Sequence, residues 1–406
     1  LKNFAPFLEN NPGLHPRGKV DGKDLDPLPL VLDDPNKIVR GYKYNMEKYN
    51  SSAVDKYCDV AKIHRSSLKP VPTPFLNEGC EPRAGSNPKA GVPKSYGPTG
   101  NTEKVDDDSV ADIDDDEIEK GALNESAASI LMTVMFSARV ASQNLLRSVG
   151  HLACSMHAWT HLCDKKLHRL MQYINCTLGD RMVGFIGDLL KDLKLVAFAD
   201  ANLADRSDNK STDGWVIALV GPNTFFVLPS GSKKHTAVSN SSVEAEIVAA
   251  NVAVRLHLIP LLELWSVITG NKIVAVLYED NQATAQIIKT AKFRTLAHVP
   301  RTHGIQLSFL SDHWKKGTFE LRDCHTRCMA ADIHTKFFTD KFKWQHAQRL
   351  IGFARAEEVQ RLFSGKPITY GRKPAASAKL KDLGKECYGC GLRDTVITSG
   401  NISSCS

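Results

Sequence analysis

The hydrophobic pattern of the chain changes at Leu193, and this change constrains the fold more than any other feature of the sequence. Between Ala122 and about Cys176, apolar residues recur every three or four positions, which is typical of amphipathic helices. After Leu193, short apolar runs alternate with helical stretches. The predicted order is three strands, LKLVAFAD (193–200), GWVIALV (214–220) and NTFFVLPS (223–230), a helix from Ser242 to Val267, a strand KIVAVLYED (272–280), a short helix NQATAQIIKT (281–290), a strand TFELRD (318–323) and a closing helix over 330–353. This order predicts an α/β fold with a five-stranded mixed sheet and flanking helices.

Composition divides the 406 residues into four predicted regions. Residues 1–120 are rich in Pro, Gly and Asn and end in an acidic run, so we expect a largely irregular segment with an acidic linker. Residues 121–190 are expected to form a helical segment, 191–353 the α/β domain and 354–406 a flexible tail. The chain begins with Leu, which suggests a piece of a longer protein.

The overall composition favours an intracellular protein without a membrane span. No run of 18 apolar residues occurs, and the N-terminus lacks the layout of a secretion signal. Ten cysteines occur singly apart from Cys387–Cys390, which lacks two further ligands for zinc, so reduced thiols are predicted. The formal net charge of +7 favours a polyanionic partner.

Two aspartates stand at the ends of predicted apolar strands. Asp200 closes the first strand and Asp280 closes the fourth, although aspartate is a poor strand residue. If these strands are adjacent and parallel, the two carboxylates lie side by side, and their repulsion is relieved best by a divalent cation between them.

Two further acids stand at predicted helix starts. Glu244 follows Ser241 with the spacing of a capping box, and capping alone would account for it. Asp332 opens the closing helix, where the helix dipole favours an acid in any case. As a set of four, these acids predict an oxygen-only site for two Mg²⁺ or Mn²⁺ ions, which would suit hydrolysis of a phosphodiester.

Four motifs in order resemble the ribonuclease H domain that ends the Pol polyprotein of copia-type retrotransposons. They are FADANLADRSDNKSTDGW (198–215), SKKHTAVSNSSVEAE (232–246), YEDNQATAQII (278–288) and AADIHTKFF (330–338). Together they cover about 160 residues of the chain. The resemblance implies a ribonuclease H-like fold, cleavage of the RNA strand of an RNA–DNA hybrid, and a cytoplasmic (virus-like particle) or nuclear location.

The resemblance also assigns site residues. The family's four metal-binding acids correspond to Asp200, Glu244, Asp280 and Asp332 in this sequence. Glu246 lies two residues after Glu244 and is expected to point away from it, so it is given no metal role. Lys233 and Lys234 are candidate contacts to a phosphate backbone, and a solvated lysine pair is the equal alternative.

Upstream, the sequence is similar to reverse transcriptase segments. Residues 28–76 resemble the stretch that follows the polymerase palm, and residues 157–180 resemble the thumb and connection segment. No Tyr-x-Asp-Asp motif occurs, and Asp33–Asp34 is interpreted as a turn, so polymerase activity is not expected from this chain alone. The upstream polymerase domains of the same polyprotein are expected partners.

Two alternatives stay open at the level of sequence. Asn202 replaces a second aspartate of the family, and residues 301–310 follow its pattern only loosely, which is compatible with an inactive nucleic-acid-binding remnant. An integrase core is the third hypothesis, although integrases use three acids with a different final spacing.

Overall fold

The computed structural model describes residues 39–76, 119–205, 208–292 and 296–362, with three short strands closer to the N-terminus. The Asp33–Asp34 pair, the Cys387–Cys390 pair, and most of the acidic run and of the predicted tail lie outside the described residues. Within the described ranges the chain is α/β, with a mixed sheet and flanking helices.

The strands form one large sheet and a separate small hairpin. Their bounds are β1 (Phe7–Glu9), β2 (Lys19–Val20), β3 (Lys23–Asp24), β4 (Arg40–Lys43), β5 (Arg181–Ile186), β6 (Lys194–Asn202), β7 (Thr212–Gly221), β8 (Thr224–Lys234), β9 (Val274–Glu279), β10 (Glu320–Asp323) and β11 (Phe353–Ala354). The order in the large sheet is β1-β4-β5-β8-β7-β6-β9-β10, with β11 added to β5, and β2 pairs with β3.

The five predicted strands are confirmed as β6 to β10. The first three form an antiparallel meander, and β9 pairs in parallel with β6 on one side and with β10 on the other. The register aligns Phe198 with Tyr278, whose rings stack with centroids 5.0 Å apart. Asp200 and Asp280 lie two residues beyond this pair, so the predicted parallel neighbours do bring them to one edge of the sheet.

The sheet is wider than the predicted five strands. β5 pairs with β8 through Phe185 and Phe225, and β4 and β1 continue the sheet beyond it. β5 lies within residues 121–190, which were predicted to be wholly helical. The run RMVGFI is mostly buried, and it forms a strand because β8 leaves an edge for it to pair with.

Helices cover both faces of the sheet. Their bounds are α1 (Glu47–Ala61), α2 (Ala127–Val140), α3 (Leu146–Ala153), α4 (His161–Cys176), α5 (Ser242–Val252), α6 (Ile259–Thr269), α7 (Gln282–Thr290), α8 (Val299–His303), α9 (Ser308–Lys315), α10 (Lys341–Leu350) and α11 (Ala356–Leu362). The predicted helices in 122–176, in 242–267 and in 281–290 are thereby confirmed.

Alternate residues of β6 contribute to two separate cores. Val196 and Phe198 pack with residues of α1 to α4 and α10, whereas Leu195 and Ala197 pack with residues of α5, α7 and α9. The helical segment therefore shares a core with the sheet. The Tyr173 hydroxyl joins α4 to α10, since it accepts hydrogen bonds from Trp344 Nε1 (3.0 Å) and Gln348 Nε2 (2.9 Å).

α5 and α6 form one continuous helix, joined by a π-helical segment at Ala253–Leu258. By length and composition alone, the run Ser242–Thr269 is apolar enough to cross a membrane. Half of its most apolar window is buried inside the fold, as in a core helix.

The predicted closing helix over 330–353 is wrong before Lys341 and after Leu350, where Phe353 already begins β11. Residues Ala330–His334 form a 3₁₀ turn, and the helix begins only at Lys341. Asp340 is the N-cap, and its carboxylate accepts a hydrogen bond from the Lys343 amide (2.8 Å). Asp332 therefore lies in a tight turn ahead of the helix.

His334 in this turn is fully buried, and neither ring nitrogen has a hydrogen-bond partner among the described residues. Burial lowers its pKa to about 3. Below about pH 6.5, His334 therefore binds a proton in the unfolded chain but not in the native protein. The free energy of unfolding is lowered as the pH falls from 6.5 towards 3.

His334→Phe is expected to raise the free energy of unfolding by about 1–3 kcal/mol at pH 7.5, because it removes two buried nitrogens that have no hydrogen-bond partner. The gain should be larger by about 2 kcal/mol at pH 5, where the proton-linkage penalty is removed as well. Urea denaturation at both pH values measures it, with the exposed His157→Phe as the control. A gain that does not change between the two pH values would contradict this account.

Candidate metal centre

Three carboxylates, two of them buried and that of Asp280 half-buried, meet at the carboxyl ends of β6 and β9. Asp200, Glu246 and Asp280 each contribute one oxygen, and these three atoms lie within 4.8 Å of one another. Asp200 and Asp280 come from neighbouring parallel strands, and Glu246 comes from the second turn of α5. Asp200 is 3% exposed and Glu246 is 7% exposed.

Asp332 extends this cluster on the side of Asp200. Burial and the negative charge of the neighbouring Asp200 raise the pKa of the Asp332 carboxyl group, and Asp332 Oδ2 pairs with Lys336 Nζ at 2.7 Å. The Thr335 hydroxyl also donates a hydrogen bond to Asp200. The 3₁₀ turn and the two residues after it thus place Asp332, Thr335 and Lys336 around Asp200.

Glu244 does not join the cluster. Its Oε2 accepts a hydrogen bond from the Asn240 amide (2.9 Å), and its two oxygens contact His298 Nε2 (3.1 Å) and His303 Nε2 (3.0 Å). Ser241 Oγ accepts from the Glu244 amide, so the capping alternative describes this residue. The sequence prediction assigned Glu244 to the metal and left Glu246 out, whereas the three carboxylates that lie close enough together to hold a metal ion include Glu246 and not Glu244.

This difference has a simple geometric cause. Residues two apart on a helix point about 200° apart, so the prediction that the two glutamates diverge was sound. What the sequence did not reveal is which of them faces the sheet. A usable signal was present, because Ala249, Ala250 and Ala253 follow Glu246 at helical spacing and are fully buried. Such small side chains let a helix lie close to a sheet.

The carboxylates of the cluster are close enough to raise one another's pKa values. Burial, and then the neighbouring Asp200, Glu279 and Asp280, raise the pKa of Glu246 to about 10. Burial and Asp200 raise the pKa of Asp332 to about 8. In the absence of a cation, the site therefore retains protons that an exposed carboxylate would release at neutral pH.

Lys336 is the nearest compensating charge. Burial alone would lower the pKa of this lysine, but Asp200 and Asp332 outweigh it and raise the pKa. One ammonium group faces several carboxylates, so the described residues do not neutralise the cluster.

A fifth acid, Glu279, adjoins the cluster and was not singled out by sequence reasoning. It is 1% exposed, and burial raises its pKa well above the usual range. Its Oε1 accepts a hydrogen bond from the Asn281 amide at 3.1 Å. Nothing in the residue pattern distinguished it from Asp280 beside it.

The donor set suits a hard divalent cation. All of the candidate donors are carboxylate oxygens, which Mg²⁺ and Mn²⁺ prefer. Glu246 Oε2 and Asp332 Oδ1 are buried and have no hydrogen-bond partner among the described residues. A bound cation would satisfy such oxygens and relieve their mutual repulsion. These residues could therefore hold a metal ion.

The two predicted phosphate contacts lie at the end of β8, apart from the acids. Lys233 is exposed, whereas Lys234 pairs with Asp208. Asn202, where the resembled family has an acid, donates a hydrogen bond from Nδ2 to the Thr335 carbonyl (3.3 Å). Its amide therefore fastens the turn that carries Asp332 to the sheet.

Comparison with known proteins adds no relative: no family model matches the sequence, and no curated protein and no solved structure is significantly similar to it.

Proposed function

We propose that this protein is a ribonuclease H of copia retrotransposon type, which hydrolyses the RNA strand of RNA–DNA hybrids with divalent metal ions. One observation carries the proposal. Acids that are distant in sequence, Asp200, Glu246 and Asp280, bring oxygens within 4.8 Å of one another, and Asp332 lies near enough to Asp200 for the two charges to interact. The four motifs that resemble this family run through the same residues.

The proposed ligands are Asp200, Glu246, Asp280 and Asp332, with Glu246 replacing the Glu244 of the sequence prediction. Two bound Mg²⁺ ions would activate water and stabilise the leaving oxygen of the phosphodiester. Asp200, Glu246 and Asp280 would together hold a bound ion, and Asp332 would add a further carboxylate on the side of Asp200. Thr335 positions Asp200 by its hydroxyl hydrogen bond.

The proposed substrate is recognised through its backbone. The formal net charge of +7 and the exposed Lys233 favour phosphate contacts. Recognition of a hybrid by its shape and its 2′-hydroxyl groups requires little base specificity, so cleavage at many sequences is expected.

The test is cleavage of an end-labelled RNA–DNA hybrid by the full chain in Mg²⁺. Asp200→Asn is expected to lower the rate about 100-fold or more, because it removes a carboxylate from the metal site. Asp323→Asn is the matched control, since Asp323 is an exposed aspartate at the end of the neighbouring strand β10.

The outcomes separate the rival hypotheses. Binding of the hybrid without turnover at any Mg²⁺ or Mn²⁺ concentration would select the inactive remnant. Cleavage of duplex DNA in preference to the hybrid would select an integrase-like activity. Equal rates for Asp200→Asn and the unmodified protein would assign the cleavage to a contaminant.

A further inference from the structure

The outer face of α6 carries an exposed apolar stripe. None of the α6 residues, all of which the structure describes, is fully buried. Leu264 is 52% exposed and Val267 is 82% exposed, and Leu256 in the preceding π-helical segment is 47% exposed. With the exposed Pro260, these four residues define the α6 stripe.

The stripe follows one line along the helix. Its members are separated by four, four and three residues, which places them on a single face. Val254 and Leu258, both fully buried, lie on the opposite side, where the helix packs on the sheet. A continuous apolar line of this kind, directed away from the core, is characteristic of a surface that contacts a partner.

Two opposite charges flank the stripe, and their positions favour a second copy of the chain as the partner. Arg255 and Glu263 are both exposed, are eight residues apart and lie on the same side of the stripe. If two copies of α6 pack antiparallel about a twofold axis near Pro260, Leu256 of each copy faces Leu264 of the other. In the same arrangement Arg255 of each copy faces Glu263 of the other. The surface is thus complementary to itself in both shape and charge, as an isologous interface requires.

We propose that the protein forms a homodimer through the α6 stripe. The α6 stripe is separate from the carboxylate cluster, because its nearest member, Leu256, lies ten residues beyond Glu246 on the same continuous helix, about 15 Å away. The proposal does not rest on the proposed nuclease activity, and either can fail without the other.

Sedimentation velocity of the full chain at several micromolar concentrations tests the proposal. The unmodified protein is expected to sediment with twice the mass of the chain. Leu264→Glu is expected to weaken self-association about 100-fold or more, because a carboxylate is buried in an apolar contact twice per dimer. The matched control is Met132→Glu, which places the same charge on a 50% exposed residue of α2 and should leave the dimer intact.

A charge exchange tests the antiparallel register itself. Arg255→Glu is expected to weaken the dimer about tenfold, because two attractive pairs become repulsive. The double variant Arg255→Glu/Glu263→Arg is expected to restore it. A monomer at all concentrations, a dimer insensitive to Leu264→Glu, or no rescue in the double variant would overturn the proposal. Flotation of the protein with phosphatidylcholine vesicles in place of self-association would assign the stripe to a lipid surface instead.

Discussion

Glu246→Gln is expected to lower the rate of hybrid cleavage about 100-fold or more, whereas Glu244→Gln should change it less than about threefold. The two positions lie two residues apart on α5, but only Glu246 shares the carboxylate cluster. Removing its charge takes away a proposed metal ligand. Glu244 instead holds Asn240, His298 and His303, contacts that a glutamine amide can largely keep.

The pair is its own control, since each variant makes the same chemical change in the same helix. Cleavage of the hybrid is measured across a range of Mg²⁺ and Mn²⁺ concentrations, and thermal unfolding verifies that both variants are folded. If Glu244→Gln is the inactive variant and Glu246→Gln the active one, then the carboxylate that the structure places in the cluster is not the one that functions.

Asp205→Ala is expected to lower the free energy of unfolding by about 3–5 kcal/mol, because it leaves a buried guanidinium without its counterion. The side chains of Arg147 and Asp205 are 0% and 4% exposed, and they form an ion pair between α3 and the loop after β6. Thr212 Oγ1 donates to Asp205 Oδ1 at 3.0 Å, and the guanidinium lies 4.2 Å from the centroid of the Phe337 ring. This pair joins the helical segment to the sheet beside the candidate metal centre.

Urea denaturation of two further variants shows how much of the lost stability is due to burial of the ion pair. Asp55→Ala removes the exposed partner of Arg65, whose pair is 31% and 56% exposed, and should cost less than about 1 kcal/mol. Arg147→Met/Asp205→Leu should recover most of the lost stability, since apolar side chains replace the whole buried pair and leave no unpaired charge. Equal losses from Asp205→Ala and Asp55→Ala would show that the pair is solvated in solution.

Most elements of the α/β region follow from local sequence. Strands β6 to β10 and the helix from Ser242 lie where the apolar pattern predicts them. The prediction of the closing helix was wrong because the apolar pattern continues through Ala330–His334, while the N-cap, Asp340, lies ten residues after Ala330. Strand β5 was missed because a short apolar run becomes a strand only where a partner edge exists.

The candidate site was predicted in part. Asp200 and Asp280 were identified because an aspartate at the end of an apolar strand is locally unfavourable, and parallel pairing brings them together. Asp332 lies near Asp200, in a turn and not in the predicted helix, and its metal role stays a prediction. The choice between Glu244 and Glu246 depends on the rotation of α5 about its own axis, which the alanines after Glu246 indicate but which the packing of α5 on the sheet fixes.

The sequence by itself determined most of the strands and helices of the α/β region, and it marked two strand ends as sites for acids, because these depend on residues within a turn or two of one another. Only the tertiary structure decided which glutamate faces those acids, how the helical segment joins the sheet through Arg147, and that α6 keeps an apolar face uncovered. These properties depend on how whole elements are packed, and packing balances contacts between residues far apart in the chain.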